Sequence, residues 1–220
     1  YGNVILTPNW VPYTYNLRYN GNGGQTSSGA IQYTQTGFTY SDENVASQTM
    51  DPNEFTRPGY AFAGWAKSEG GEAVYADKEN PNKSPYTDFV PTSNNQTFDV
   101  YAVWTGNEYD IVYNANMSGV NNPATDHYTT GSTTQVTFPT ISAFGWTFDG
   151  WTVVSVNSNA TNGYSYGGWT VGNTYTSSTT GRFGDVVFEA QWNLVTYTIS
   201  YENLLDGTMP EEAIEEYTIN

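Results

Sequence analysis

The 220-residue chain has no cysteine, one histidine, and six Lys plus Arg against 22 Asp plus Glu. Without cysteine there are no disulfides, no thiolate nucleophile and no Cys-ligated metal. A lone His127 leaves no histidine pair for zinc and little scope for Ser-His-Asp chemistry. The formal charge of −16 denies the chain the cationic face that nucleic acid requires, and it opposes docking on anionic lipid. No apolar run approaches the roughly 20 residues that span a bilayer, so this segment is not expected to insert into a membrane. These shortages disfavour an enzyme; no catalytic residue, metal site or cofactor is expected. There is also no initiator Met and no cationic, apolar leader, so Tyr1 is expected to follow a processed or trimmed end.

What is abundant points to strands. Charged residues make up 13% of the chain, whereas aromatics reach 16%, with 19 Tyr and 22 Gly. Aromatic and β-branched residues favour pleated strands, and Gly, Asn and Pro supply the turns between them. The aromatic bulk is enough to fill several small cores, so a folded chain is expected despite low hydropathy.

The sequence also repeats itself. A strand ending in Trp occurs at Trp10, Trp104 and Trp192, and a following alternating strand carries Tyr19, Tyr113 and Tyr201. Both markers recur at the same spacings, 94 and then 88 residues. A third block, RPGYAFAGWA at 57–66, matches AFGWTFDGWT at 143–152 and sets Trp65 opposite Trp151. The expected organisation is therefore the last strand of one repeat at 1–12, full units at 13–106 and 107–194, and the opening strands of a further repeat at 195–220. Within the full units, strands are expected near 13–20, 30–40, 59–66 and 97–104, then near 108–115, 126–138, 145–155 and 185–192. Tyr217 matches Tyr128. Little helix is expected: one short turn within 42–55, and a weak helix-start signal at Pro210–Glu216.

The pattern Y-x-I-x-Y, then P-G-Y-x-F-x-G-W, then D-V-x-x-x-A-x-W resembles the Listeria–Bacteroides repeat of the internalin B-repeat type. The corresponding pieces are Tyr109–Tyr113, Pro58–Trp65 and Asp99–Trp104, the last being two residues shorter than the pattern. The resemblance covers nearly the whole chain. It implies a mainly β fold of tandem, small β-grasp-like repeats of about four strands each, in secreted or surface-anchored bacterial proteins that act as adhesins or spacers. The second unit departs from the pattern, with Phe144-Gly145-Trp146 in place of Pro-Gly-Tyr and a long loop at 153–184.

The motif also has a physical reading. Alternation places Phe62 and Gly64 on one face of their strand and Trp65 on the other. A unit of about 90 residues buries limited area, so large rings must supply much of it. Phe62, Trp65, Trp104 and their counterparts Phe148, Trp151 and Trp192 are thus expected to be structural. Gly64 is expected to let a neighbouring ring lie over the backbone.

Candidate chemistry is sparse. The acidic pairs Asp42-Glu43, Glu211-Glu212 and Glu215-Glu216 lack the spacing of a calcium loop and read as solvated surface. A Lys–Asn isopeptide bond would need a buried lysine, yet Lys67, Lys78 and Lys83 lie together in one polar region and the second unit has none. Glycan binding is the alternative to a spacer. The aromatic, glycine-bounded stretch 162–169 offers Tyr164, Tyr166 and Trp169 as an exposed platform for sugar rings, against the plainer reading of a hairpin folded onto its own unit. The sequence thus leads to an extracellular, cell-surface tandem-repeat segment. Its expected partners are neighbouring repeats of the same or another copy of the chain, and a host or matrix glycan or protein. The partial ends are expected to be able to pair head to tail.

Overall fold

The structure is a computed structural model that describes residues 2–40, 48–81, 88–176, 179–202, 207 and 215–219. It is mainly β, with no helix among the described residues and four sheets of two to five strands. The chain divides into two compact units, Tyr1–Thr105 and Gly106–Asn220.

The first unit holds β1 (Thr14–Asn20), β2 (Gln32–Thr39), β3 (Tyr60–Ala66) and β4 (Gln96–Gly106) in the order β2-β1-β4-β3. Strict alternation makes β1 a half-buried strand: Tyr15, Leu17 and Tyr19 point into the core, and Asn16, Arg18 and Asn20 point away. β1 pairs antiparallel with β2 and parallel with β4, with Tyr19 opposite Val100. On the outer face, Arg18 lies opposite Asp99 and forks onto both of its carboxylate oxygens at 2.6 and 2.7 Å. That bond holds the Asp99 carboxyl below its ordinary pKa. Among the described residues no helix covers the core of this sheet. Met50, Phe55 and Phe89, all buried on connecting segments, close it instead.

The second unit repeats the plan. Its strands are β5 (Glu108–Asn114), β6 (Asp126–Thr129), β7 (Trp146–Val156), β8 (Ser165–Tyr166), β9 (Trp169–Thr170), β10 (Thr174–Tyr175) and β11 (Val186–Leu194). Its main sheet reads β6-β5-β11-β7-β10, the order of the first unit with one short strand added at the β7 edge. β5 and β11 are again a parallel central pair, with Tyr113 opposite Phe188. In place of the Arg18–Asp99 pair, the outer face has Val112 opposite Val187.

The repeated tryptophans make repeated contacts. Phe62 lies edge-on to Trp65 and Trp104 at 4.9 and 5.7 Å, and Phe148 lies edge-on to Trp151 and Trp192 at 5.2 and 5.5 Å. The Trp104 indole donates to the Gly21 carbonyl at 2.9 Å, and the Trp192 indole donates to the Ala115 carbonyl at 2.8 Å. Gly21 and Ala115 are each two residues past the marker tyrosine. The structural role expected for these rings holds in this respect. One contact is not shared: the Trp151 indole donates to the Pro139 carbonyl, whereas the buried Trp65 Nε1 has no acceptor among the described residues.

Gly64 has a different reason from the one expected. Its φ is +141°, and a Cβ there would lie 2.7 Å from the Tyr75 carbonyl oxygen, so the close neighbour is backbone and not a ring. The glycine admits the Trp65–Tyr75 bridge, in which each residue's N–H donates to the other's carbonyl at 2.8 and 3.1 Å. Gly150, with φ +116°, sits at the matching place beside the Trp151–Tyr175 pairing.

Other expectations are corrected at their edges. β6 stops at Thr129 and does not run to 138, because Gly131 at φ +78° and the Ser132 N–H to Thr129 carbonyl bond turn the chain. Residues 48–55 carry no helix, and 42–47 lie outside the described residues. Of the 210–216 signal, 210–214 also lie outside them, and Glu216 begins a strand. Residues 2–12 are exposed and form no strand, whereas a closing strand was expected at 1–12. Near the end of the chain β12 (Thr196–Thr198) pairs antiparallel with β13 (Glu216–Thr218), with Tyr197 opposite Tyr217. These rings stack at 5.3 Å, as Tyr15 stacks on Phe38 at 5.1 Å, and Tyr109 meets Tyr128 at 5.8 Å.

Candidate functional site

The 162–169 segment belongs to the long excursion between β7 and β11. Gly163 at φ +80° and the Tyr164–Val171 backbone bond fold it back on itself, and Gly167 and Gly168, both at positive φ, make the two-residue turn between β8 and β9. Gly167 is also fixed sterically, since a Cβ there would meet the Phe183 carbonyl carbon at 2.7 Å.

This hairpin packs onto its own unit. Trp169 is 0% exposed and sits in the core beside Phe188 and Tyr175. Its indole donates to the Tyr128 hydroxyl at 3.0 Å, and that hydroxyl donates to the Gly184 carbonyl at 2.6 Å. Burial pushes the Tyr128 phenol up to about 12. The Arg182 guanidinium lies 4.0 Å from the Trp169 ring centre and 4.2 Å from that of Tyr175. Tyr164 is half-buried against the same core. Tyr166 is 37% exposed and meets Phe183 edge-on at 5.1 Å. Trp169 and Tyr164 are therefore not part of an exposed platform; core packing and the hydroxyl partner draw both rings inward. Tyr166 alone keeps an exposed ring.

Among the described residues, two of the open clefts lie elsewhere. One in the first unit, of about 350 Å³, is bordered by the side chains of Asn20, Asn22, Gln25, Gln32, Glu69 and Tyr101. Its walls combine four side-chain amides with one carboxylate, one phenol ring, the Ile31 side chain and the backbone of Gly23 and Gly24. The other, about 360 Å³ in the second unit, is bordered by Phe148, Trp151, Tyr175, Pro139 and Asp149. Sequence reading missed the first cleft because its amides, from the end of β1, the following turn and the start of β2, are joined by Glu69 and by Tyr101 of β4, which are distant in sequence.

The ionisable groups pair off as surface structure. Lys67 meets Asp88 at 3.0 Å and is half exposed, which is not the dry setting an isopeptide bond requires. His127 meets Asp110 at 2.7 Å on the surface. Among the described residues, no group of three or more His, Cys, Asp or Glu is placed to hold a metal ion. Glu215 and Glu216 are exposed, while Asp42-Glu43 and Glu211-Glu212 lie outside the described residues. None of the described helices is long and apolar enough to cross a membrane, as the described residues contain none.

With this geometry in hand, the chain can be set beside known proteins. No family model matches it. Over 173 residues it is 28% identical to a protein of Evansella cellulosilytica named "Putative Gly-rich membrane protein". The similarity takes in 76% of this chain but 18% of that protein, so the chain corresponds to a small part of this relative's length.

Proposed function

We propose that the chain is a non-catalytic tandem-repeat segment of an extracellular surface protein, serving as stalk or adhesin structure, with β-grasp-like units of the Listeria–Bacteroides repeat type. The observation that carries this reading is the recurrence of one sheet order in both units. Each has a parallel central pair and a Trp indole bonded to the carbonyl two residues past a buried tyrosine. Such repetition of a complete unit suits a protein that gains reach by adding copies. A single residue, Asn107, separates β4 from β5, and a single residue, Val195, separates β11 from β12. Acidity supports the same reading: it maintains solubility and repulsion between crowded neighbours. The relative's name, a membrane protein, is in keeping with a cell-envelope location. Surface protease shaving of cells that express the parent protein tests the reading; release of peptides from 13–194 supports it, and their retention inside intact cells removes it.

Carbohydrate recognition is the second reading. The 162–169 loop retains only Tyr166 for it, and the amide-lined cleft beside Tyr101 matches a hydroxylated ligand better. Glycan-array binding that is lost in Tyr101→Ala and kept in Tyr166→Ala favours that cleft, and no binding to any glycan eliminates the reading.

A further inference from the structure

The outer face of the first unit's sheet ends in a polar row. Gln32 on β2 lies opposite Asn20 on β1, and Asn20 lies beside Tyr101 on β4. At a strand spacing of about 4.8 Å, these three side chains span roughly 10 Å. The turn after β1 brings Asn22 and Gln25 to the same place, and the loop after β3 adds Glu69. All six border the cleft of about 350 Å³.

The second unit carries a matching row in a closed form. Asn114 and Asn116 stand where Asn20 and Asn22 stand, with φ +46° at Asn22 and +49° at Asn116. Glu189, opposite Asn114, takes the place of Tyr101. The Asn116 side chain donates to Glu189 at 2.9 Å, and the Asn114 Oδ1 accepts the Asn116 N–H at 3.0 Å. Polar groups there are spent on one another.

In the first unit they are left open. Asn20 Nδ2 donates to Asp99 at 3.0 Å and to the Val100 carbonyl at 3.2 Å, while Asn22 Nδ2 donates to the Ala102 carbonyl at 2.9 Å. Both amides are thereby oriented with Oδ1 as the free end. Among the described residues, these two oxygens and the side chains of Gln25, Gln32, Glu69 and Tyr101 have no hydrogen-bond partner. Two oriented carbonyls and a carboxylate can only accept, so the cleft suits a ligand that donates. A hydroxylated ring does so on several sides, and Tyr101 with the 66% exposed Ile31 offers apolar surface for its C–H face. An acid group would find no cation in these walls. No Lys or Arg lines the cleft, Arg18 is held by both oxygens of Asp99, and Arg57 lies over the Tyr60 ring at 4.1 Å.

We infer that this cleft takes an uncharged pyranose and that Glu69 sets its selectivity, disfavouring sugars that carry an acid group. This rests on the carbohydrate reading, which it narrows to one unit and one class of sugar. Such selectivity comes from a repulsive group set beside attractive ones. In an open, water-filled site, one like charge about 4–6 Å away weakens binding roughly three- to fivefold.

Matched pairs test this on the full chain: methyl glycosides of glucose, galactose and mannose against those of the corresponding uronic acids, titrated by nuclear magnetic resonance. The neutral member of at least one pair should shift the side-chain amide signals of Asn20, Asn22, Gln25 and Gln32 and leave those of Asn114 and Asn116 in place. Its uronate should bind roughly three- to fivefold more weakly, and added salt should narrow that gap. Glu69→Gln, at an exposed loop position, should bring the ratio close to one. Glu72→Gln removes the same charge outside the cleft and should leave the ratio unchanged. A ratio near one in the unaltered chain, or one that Glu69→Gln does not move, overturns the selectivity while retaining carbohydrate recognition. Shifts centred on Tyr166 or Asn114 overturn the site on the same terms. No shift with any glycoside removes the carbohydrate reading as well.

Discussion

Replacing Gly64 by alanine strikes the Trp65–Tyr75 bridge at the edge of the first unit's core. At φ +141° an L-residue is strained by about 1–3 kcal/mol. The new Cβ would also stand 2.7 Å from the Tyr75 carbonyl oxygen. That oxygen is fixed, because it accepts the Trp65 N–H at 2.8 Å. Relief therefore requires displacing backbone, which adds about 1–3 kcal/mol as overpacking. The combined loss of about 2–6 kcal/mol corresponds to a fall of roughly 10–30 °C in that unit's midpoint. Gly29 provides the control: its φ is +83° but a Cβ there meets nothing within 4 Å, so Gly29→Ala should cost only about 1 kcal/mol. Gly150→Ala should fall between them, because its nearest obstacle is the Thr174 methyl at 3.1 Å. Scanning calorimetry of the three variants gives the order. A Gly64→Ala midpoint equal to that of Gly29→Ala would refute the close approach.

Three further outcomes are expected. Trp169→Ala should destabilise the second unit by about 3–5 kcal/mol in urea unfolding, since it empties a buried ring site and strips the Tyr128 hydroxyl of a donor. Trp192→Phe should cost about 1–3 kcal/mol in denaturant unfolding because the Ala115 carbonyl loses its indole donor, whereas Trp104→Phe should cost less, about 0.5–1.5 kcal/mol, because the Gly21 carbonyl keeps the Gly24 N–H at 2.8 Å. Alkaline stability follows from the buried phenols. Burial raises Tyr19, Tyr113 and Tyr128 above their ordinary value, Tyr128 to about 12, so the neutral form is favoured in the folded state. Their contribution is fully present below the unfolded tyrosine pKa of about 10 and is lost as pH rises through the folded values. Ultraviolet titration should show exposed tyrosines ionising first and a late set ionising together with unfolding.

The strands that alternate strictly were legible from sequence, and β1 and β5 lie within a residue or two of their expected ranges. The marker rings were legible because they are bulky and the small cores need them at fixed places. The fold also contains a recurrence that spacing conceals: Tyr75 and Tyr175 take the same position beside Trp65 and Trp151, yet follow them by ten and 24 residues. The inserted β8–β9 hairpin accounts for the difference, so no fixed period exposes it. Trp169 was left between two readings for a related reason. A glycine-bounded aromatic stretch serves an exposed platform and a folded-back hairpin equally well. What decides between them is a hydroxyl 41 positions away on β6. β6 itself ended early because a Gly131 turn outweighed the strand propensity of the residues that follow. Segment 2–12 reads as a strand because its sequence is that of one, but a strand forms only where a partner edge is present.

Hydrogen exchange measured residue by residue tests the repeated-unit account most directly. The account predicts that the slowest amides lie on the central parallel pairs, β1 with β4 and β5 with β11, so that protection at Leu17 and Tyr19 recurs at Ile111 and Tyr113. Protection confined to one unit, or centred outside those paired strands, would contradict it.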